Sequence, residues 1–239
     1  MPSRGSRRLL AVLLGPVVLL GAASCADDDP SSAPGGDPTA VVATERALAA
    51  AVETHLGREA VAAAPLFRGD GLPRGAVGVE LSFDRPVGDH THVRVVVSPP
   101  GADPDAKQLR TCRTQPKTWE CEQDVVGATS YVLLREAGYA GEDPGLVGAV
   151  GRRDGVVVLA TAYGPFVPPA GGESEAEADD VAQSEELADL LRAVVTDPAV
   201  GLRTSEHYEE AGASIEDDRW LDWYGQGNGA SEPEGYRPT

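Results

Sequence analysis

The feature that most constrains the fold is an alternation of apolar and polar residues between residues 76 and 164. The alternation is clearest in residues 77–83 and 93–97, where every second residue is Val, Leu or Phe. Successive side chains of a strand point to opposite faces, so a period of two predicts strands with one face against a core. Residues 129–135, 146–152 and 156–163 are also strand-like, being rich in Val and Leu. With the cysteine-bearing segments considered below, we expect six or seven strands.

The connections between these segments are short, and one of them is diagnostic. Arg153-Asp154-Gly155 separates two apolar runs, and an Asp-Gly pair in that position favours a tight hairpin turn. Parallel strands would need longer crossover connections, usually helical. The pattern therefore predicts an antiparallel meander.

A first helix is predicted over residues 41–63, which are rich in alanine. Leu48, Val52 and Leu56 recur every four residues and define its apolar face. His55 falls on the same broad face, and we interpret it as a partly buried, hydrogen-bonded histidine. Gly57 is a possible break in this helix.

A second helix is predicted after a Pro-, Gly- and acid-rich loop at residues 165–180. Ser184 is a suitable N-cap, because acidic residues follow it in the first turn. Asp197-Pro198 ends the helix. Its apolar stripe has helical spacing and consists of Leu187, Leu190, Leu191, Val194 and Val195. The fold class is therefore α+β: an antiparallel meander of six or seven strands, covered by an N-terminal and a C-terminal helix.

The N-terminus indicates export. Residues 1–8 are basic, and residues 9–23 form an apolar run that is short for a membrane-spanning helix and contains Pro16. A basic start followed by a short apolar stretch is typical of a signal peptide. We therefore assign residues 1–24 to a signal peptide.

The end of this segment resembles the lipobox of bacterial lipoproteins. Ala22-Ala23-Ser24-Cys25 has small residues before a cysteine, although the family prefers Leu where Ala22 stands. The resemblance implies that the Cys25 thiol receives a diacylglyceryl group and that cleavage makes Cys25 the first mature residue. Two acyl chains give stable membrane anchoring. The alternative is an ordinary secretory signal with an unrelated cysteine.

If Cys25 carries lipid, Cys112 and Cys121 remain as a pair, and export predicts a disulfide between them. A polar Gln-Pro-Lys-Thr turn at residues 115–118 places the two cysteines across a predicted hairpin. A redox-active pair usually has the spacing Cys-x-x-Cys, so a structural disulfide is the favoured interpretation.

The domain organisation follows from composition. Residues 25–40 are rich in Asp, Pro, Ser and Gly and are predicted to be a flexible tether. Residues 41–203 form a single domain, and residues 204–239 are predicted to be an acidic, largely disordered tail.

The predicted tail contains an aromatic cluster in a chain with few aromatic residues. Trp220, Trp223 and Tyr224 are candidate partner-binding residues, because Trp and Tyr dominate interface hot spots. The alternative is that this cluster folds back and packs on its own domain.

The order of elements also resembles that of a group of uncharacterised actinobacterial lipoproteins. The similarity covers residues 76–203, with the disulfide hairpin, the Asp-Gly turn and a helix ended by Thr196-Asp197-Pro198. Its motifs are structural, so the resemblance assigns no catalytic residue.

Asp89-His90-Thr91-His92 is the candidate metal site. Residues two apart on a strand point the same way, so His90 and His92 could share zinc or copper with Asp89 nearby. Two ligands do not complete a site, and the alternative is a solvated strand edge. We interpret His207 as a surface residue.

The chain has no recognisable nucleophile motif and no phosphate-binding glycine loop. We therefore expect a protein without catalytic residues or cofactors. A net charge of −18 disfavours nucleic-acid binding. The predicted function is a non-enzymatic binding module of the cell envelope, anchored to the outer face of the cell membrane by Cys25, with an envelope protein as a possible partner. The alternatives are a metal- or small-ligand-binding lipoprotein using His90 and His92, and an unrecognised hydrolase.

Overall fold

A computed structural model describes residues 38–66, 72–84, 91–102, 118–136, 146–163 and 175–221. These residues form an α+β fold with a seven-stranded antiparallel sheet and a two-stranded sheet. The strands are β1 Val41–Val42, β2 Ala62–Pro65, β3 Val77–Phe83, β4 Thr91–Ser98, β5 Thr118–Val126, β6 Thr129–Glu136, β7 Leu146–Arg153, β8 Val156–Tyr163 and β9 Arg203–Thr204. The helices are α1 Glu45–Leu56, α2 Glu175–Thr196 and α3 Glu206–Ala213.

The large sheet has the strand order β2-β3-β4-β8-β7-β6-β5. It therefore consists of two meanders, β2 to β4 and β5 to β8, which join where β4 pairs with β8. The predicted α+β class, the antiparallel sheet and the two covering helices are confirmed. The sequence pattern did not indicate that β8, the last strand of the second meander, pairs with β4, the last strand of the first.

The turn between β7 and β8 has the geometry that its residues predict. Asp154 and Gly155 have φ angles of 52° and 80°, so both lie in the left-handed region. A two-residue turn with two positive φ angles matches the twist of the flanking strands. The predicted Asp-Gly hairpin is therefore confirmed.

Helix α1 is shorter than predicted. The Thr44 side chain caps its start by accepting a hydrogen bond from the Ala47 amide at 3.1 Å. Gly57 ends it with a φ of 70°, and its amide donates to the Glu53 carbonyl. The predicted range of 41–63 is wrong at both ends, because β1 precedes the helix and β2 follows it. Pairing of β2 with β3 overrides the helix preference of its alanines.

Helix α2 is longer than predicted. It begins at Glu175, so Ser184 is buried inside the helix and does not cap it. The predicted loop is wrong for residues 175–180. The apolar stripe is confirmed, since Leu187, Leu190, Leu191, Val194 and Val195 are all buried.

The main core lies between the helices and one face of the large sheet, called here the helix face. Helix α2 packs against β6, β7 and β8, whereas α1 packs against β2 and β3 and against α3. The inward side chains of the central strands are mostly Val and Ala, as Val95, Val147 and Ala160 illustrate. A second row of apolar residues, which includes Val132, Val150 and Val157, is buried on the opposite face.

The C-terminal region is more ordered than its composition predicts. The prediction of a disordered tail from residue 204 is wrong for residues 204–221, which contain the end of β9, helix α3 and a following segment. Tyr208 and Ile215 insert into the main core. A few well-placed apolar residues therefore order an acidic stretch that mean composition would assign to disorder.

In the described part of the chain, none of the helices combines the length and the apolar character needed to cross a bilayer.

Gly151 allows α2 to approach the sheet closely, and this contact can be tested. A Cβ atom at position 151 would overlap the backbone carbonyl oxygen of Val195. We expect Gly151→Ala to lower the free energy of unfolding by about 1–3 kcal/mol, because backbone atoms cannot move aside as a flexible side chain can. Urea denaturation measures this change. Val125→Ala is the control, because Val125 is 62% exposed and should tolerate truncation with little loss; equal stability of both variants would contradict the close approach.

Candidate functional site

A buried carboxylate joins the three helices. Asp197 follows the last residue of α2, and its Oδ2 atom lies 2.8 Å from Nε2 of His55 on α1. The Tyr208 hydroxyl on α3 donates to the same oxygen at 2.7 Å, and the Ala199 amide donates to Oδ1 at 2.7 Å. We call Asp197, His55 and Tyr208 the Asp197 junction. The predicted hydrogen bonding of His55 is confirmed.

The hydrogen bonds of the junction favour an ionised Asp197 carboxylate. The Asp197 side chain is 9% exposed and that of His55 is 24% exposed. Burial alone would raise the pKa of Asp197, but hydrogen bonds from His55, the Ala199 amide and Tyr208 outweigh it and lower the pKa below 3.8. Burial, together with the Asp197 charge, raises the pKa of the Tyr208 hydroxyl. The carboxylate is therefore ionised and Tyr208 is a neutral donor at neutral pH.

Arg153, the last residue of β7, satisfies the carbonyl groups that follow α2. Its guanidinium donates to the carbonyl oxygens of Asp197, Pro198 and Val200 at 3.2–3.3 Å, and to the Thr129 hydroxyl at 2.9 Å. A cation at a helix C-terminus is favourable because the last carbonyls carry partial negative charge. This contact fixes the end of α2 to the β7–β8 hairpin.

An aspartate that orients a histidine is also the arrangement of a general base. Catalysis would require a nucleophile or a bound water beside the free ring nitrogen. Among the described residues, the hydrogen bond of His55 leads to Asp197 and no serine or cysteine bonds to its ring. Through these bonds the junction links α1, α2 and α3.

A second polar cluster holds the segment that follows α3, residues 214–221, called here the C-terminal segment. Arg219 Nη1 donates to Glu53 Oε1 at 2.9 Å and to the Ala60 carbonyl at 3.0 Å. The same Glu53 oxygen accepts the Ala60 amide at 2.7 Å. This cluster joins the end of the described chain to α1.

The C-terminal segment also adds to the edge of the large sheet. The Ala63 amide donates to the Arg219 carbonyl at 2.9 Å, and the Leu221 amide donates to the Ala63 carbonyl at 2.8 Å. These bonds form a parallel bridge between Trp220 and Ala63 of β2. The next rung would need an amide at Pro65, and proline has none. The bridge therefore ends where β2 ends.

Trp220 packs on its own domain. Its half-buried ring contacts the main core, and the Arg46 guanidinium lies 4.7 Å from the ring centroid. Arg46 also donates to the Ile215 carbonyl at 2.6 Å and to Asp217 at 2.8 Å. Of the two interpretations of the aromatic cluster, the structure favours folding back for Trp220. Trp223 and Tyr224 lie outside the described residues.

A third cluster joins β5 and β6 to α2. Glu122 on β5 accepts hydrogen bonds from the hydroxyl of Tyr131 on β6 and from Arg192 Nη2 at 2.7 Å. These two hydrogen bonds lower the pKa of Glu122, the one from Tyr131 contributing most. The Arg192 pKa is raised, first by its bond to Glu122. An ion pair with two hydrogen-bonded oxygens tolerates partial burial.

The candidate metal ligands are only partly described. His92 lies on β4 and pairs with Tyr163 of β8, and the His92 side chain is 48% exposed. Its Nδ1 atom lies 3.7 Å from Glu80 Oε1 on β3, and Arg94 approaches the same carboxylate at 3.9 Å. Asp89 and His90 lie outside the described residues. The described residues contain no group of three or more potential metal ligands.

The cysteine predictions fall mostly outside the described chain. Cys121 lies on β5 and packs against the apolar row on the face opposite the helices, beside Val132 and Leu134. Cys25 and Cys112 lie outside the described residues, so lipid attachment and the disulfide stay predictions. His207 is exposed, and its ring lies 5.6 Å from that of Tyr208.

Several residues that organise the fold had no distinctive signal in the sequence. Asp197 was interpreted only as part of a helix stop, and Tyr208 and Arg219 lay in the predicted tail. A lone apolar or aromatic residue every few positions in residues 204–221 was the available signal. Asp197 bonds to His55 and Arg219 bonds to Glu53, and each pair is more than a hundred positions apart in sequence. No local pattern reveals such pairs.

No protein-family model matches this chain, and no curated protein or solved structure matches it either.

The Asp197 junction predicts a specific acid sensitivity. The pKa of Asp197 is lowered in the folded state, so its ionised form stabilises the fold above the unfolded pKa, and this contribution is lost as the pH falls through the folded pKa. We expect Asp197→Asn to cost about 1–3 kcal/mol at pH 7 through lost charged hydrogen bonds. The variant should also lose less stability than the wild type between pH 5 and roughly pH 2. Urea denaturation across this pH range measures both effects.

Asp217→Asn is the matched control for this experiment. Asp217 pairs with Arg46 but its side chain is 97% exposed, so its loss should not change stability measurably. A pH profile for Asp197→Asn that parallels the wild type would show that the junction does not contribute to acid unfolding.

The C-terminal segment gives a second stability prediction. Trp220→Ala should lower the free energy of unfolding by about 1–3 kcal/mol, because it removes a half-buried ring and the Arg46 contact. Denaturant unfolding of the full chain measures this. Tyr163→Ala, which truncates an aromatic residue that is 46% exposed, should cost less. Wild-type stability of Trp220→Ala would mean that the C-terminal segment does not pack in solution.

Proposed function

We propose that this chain is a membrane-anchored extracytoplasmic lipoprotein that acts as a non-enzymatic interaction module of the cell envelope. The observation that carries the proposal is the sequence Ala22-Ala23-Ser24-Cys25 directly after a short apolar run. Small residues before a cysteine at the end of a signal peptide support lipid attachment to that cysteine.

The composition around the domain supports the anchored arrangement. Residues 26–39 contain no large apolar residue and are rich in Asp, Pro, Ser and Gly. Such a segment cannot bury enough apolar surface to fold alone, so it is suited to link the lipid to the domain. The strongly negative chain would be repelled by anionic headgroups, which favours a domain held away from the membrane surface.

The candidate partner-binding residues are Trp223 and Tyr224. They follow Leu221 closely, and Leu221 is hydrogen-bonded to β2. Leu221 therefore ties the chain to the domain two residues before Trp223. Trp220 contributes indirectly, by holding the C-terminal segment on the domain.

The anchor is tested by intact-mass analysis of the full chain purified from its native host. We expect an N-terminus at Cys25 carrying a diacylglyceryl group, and recovery in the membrane fraction that detergent releases. Cys25→Ser should remove the lipid and leave the chain in the soluble fraction or unprocessed. Cys121→Ser is the control, because it removes a cysteine without affecting processing. An unmodified thiol at Cys25, or a different N-terminus, would refute the proposed anchor.

Partner binding is tested separately by cross-linking in intact cells. Photo-cross-linkers placed at Trp223 and Tyr224 should give discrete adducts with an envelope protein, whereas one at Tyr163, an exposed aromatic residue of the sheet, should not. The adducts should disappear when wild-type chain is expressed in excess. Adducts of equal yield at all three positions would indicate nonspecific collision and would argue against a binding role for this cluster.

A further inference from the structure

Four polar side chains form a cluster on the face of the large sheet that lies opposite the helices. Leu81, Val93 and Ala162 point into the main core, and successive side chains of a strand alternate between the two faces of a sheet. The residues next to them in sequence therefore share the opposite face. They are Glu80 and Ser82 on β3, His92 on β4 and Tyr163 on β8, called here the sheet cluster.

The register of the sheet places these four residues next to one another. His92 pairs with Ser82 on one side and with Tyr163 on the other, so the three residues form a row across neighbouring strands. Glu80 lies one row away, with its Oε1 atom 3.7 Å from His92 Nδ1. From the spacing of strands and the rise per residue, the sheet cluster covers roughly 10 Å by 7 Å.

The sheet cluster is accessible to a ligand. The side chains of Glu80 and His92 are 38% and 48% exposed, and Tyr163 is 46% exposed. His92 Nδ1 and Arg94 Nε lie 3.7 Å and 3.9 Å from the Glu80 carboxylate, and both distances are longer than a hydrogen bond. Among the described residues, no hydrogen bond occupies the Glu80 carboxylate, so its oxygens can accept hydrogen bonds from a ligand.

Charge and hydrogen-bonding chemistry indicate which ligand fits. The Glu80 carboxylate repels an anion, and the Arg94 guanidinium beside it repels a cation. A neutral ligand that carries hydroxyl groups meets neither repulsion, and its hydroxyls can donate to Glu80 and accept from His92 or Ser82. The Tyr163 ring adds an apolar surface with a polar tip. Sugar rings combine an apolar face with a rim of hydroxyl groups, so they match this arrangement.

We propose that the sheet cluster binds a neutral saccharide, with a sugar ring stacked on Tyr163 and sugar hydroxyls donating to Glu80. The ligand at this site is a glycan and not a protein, so the expected lack of a protein adduct at position 163 is compatible with it. The site is separate from Trp223 and Tyr224, and the proposal depends neither on lipid attachment nor on a protein partner.

An array of neutral and acidic oligosaccharides, probed with the detergent-solubilised full chain, tests the proposal. We expect binding to neutral oligosaccharides in preference to acidic ones. Tyr163→Ala should weaken this binding on the order of tenfold, because it removes the stacking surface, whereas Tyr163→Phe keeps the ring and should retain most of the affinity. Lack of binding to every neutral oligosaccharide, or a preference for acidic ones, would overturn the proposal.

A second variant with a matched control tests the role of Glu80. Glu80→Gln should weaken binding to the same oligosaccharide several-fold, because an amide oxygen accepts a weaker hydrogen bond than a carboxylate. Glu210→Gln makes the same change at an exposed position on α3 and should leave the affinity unchanged. Urea denaturation of each variant checks that the fold is retained. Equal effects of the two glutamate variants, or wild-type affinity of Tyr163→Ala, would show that the sheet cluster is not the binding site.

Discussion

The fold depends on the burial of one apolar face of the seven-stranded sheet beneath its helices. The inward residues are mainly Val, Ala and Leu, so the core is built from small and branched side chains rather than large aromatic rings. Small residues allow a helix backbone to approach the sheet closely, as at Gly151, where a Cβ atom would overlap the Val195 carbonyl oxygen of α2. Close packing of this kind leaves little freedom for the helix position, since protein interiors are packed as densely as crystals.

The polar clusters fix the margins of this core. The Asp197 junction joins α1, α2 and α3, Arg153 fixes the end of α2, and Glu122 with Arg192 joins β5 to α2. The chain has 20 basic and 38 acidic residues. Basic residues are therefore the minority, and arginine is suited to these clusters because its planar guanidinium group donates several hydrogen bonds at once. Each of the arginines in these clusters therefore contacts two or more groups.

The same features bear on function. The Asp–His pair resembles part of a catalytic arrangement, but its bonds link helices and involve no described nucleophile. The end of the described chain is instead held beside β2, where the residues that follow begin from a fixed point. The fold itself would accommodate many functions.

The sequence by itself determined the α+β class, most of the central strands, the Asp-Gly turn and the apolar stripe of α2. These follow from local periodicity and turn chemistry, which depend on neighbours a few residues apart. Local pattern failed where propensity was ambiguous: the alanines of β2 looked helical, and the acidic C-terminal region looked disordered. Only the tertiary structure decided the return of the second meander to β4, the partners of Asp197 and Arg219, and the packing of Trp220. Each of these features depends on contacts between residues that are far apart in sequence. Such contacts stabilise the fold only when both partners are buried together, so the residues next to either partner in the sequence do not reveal them.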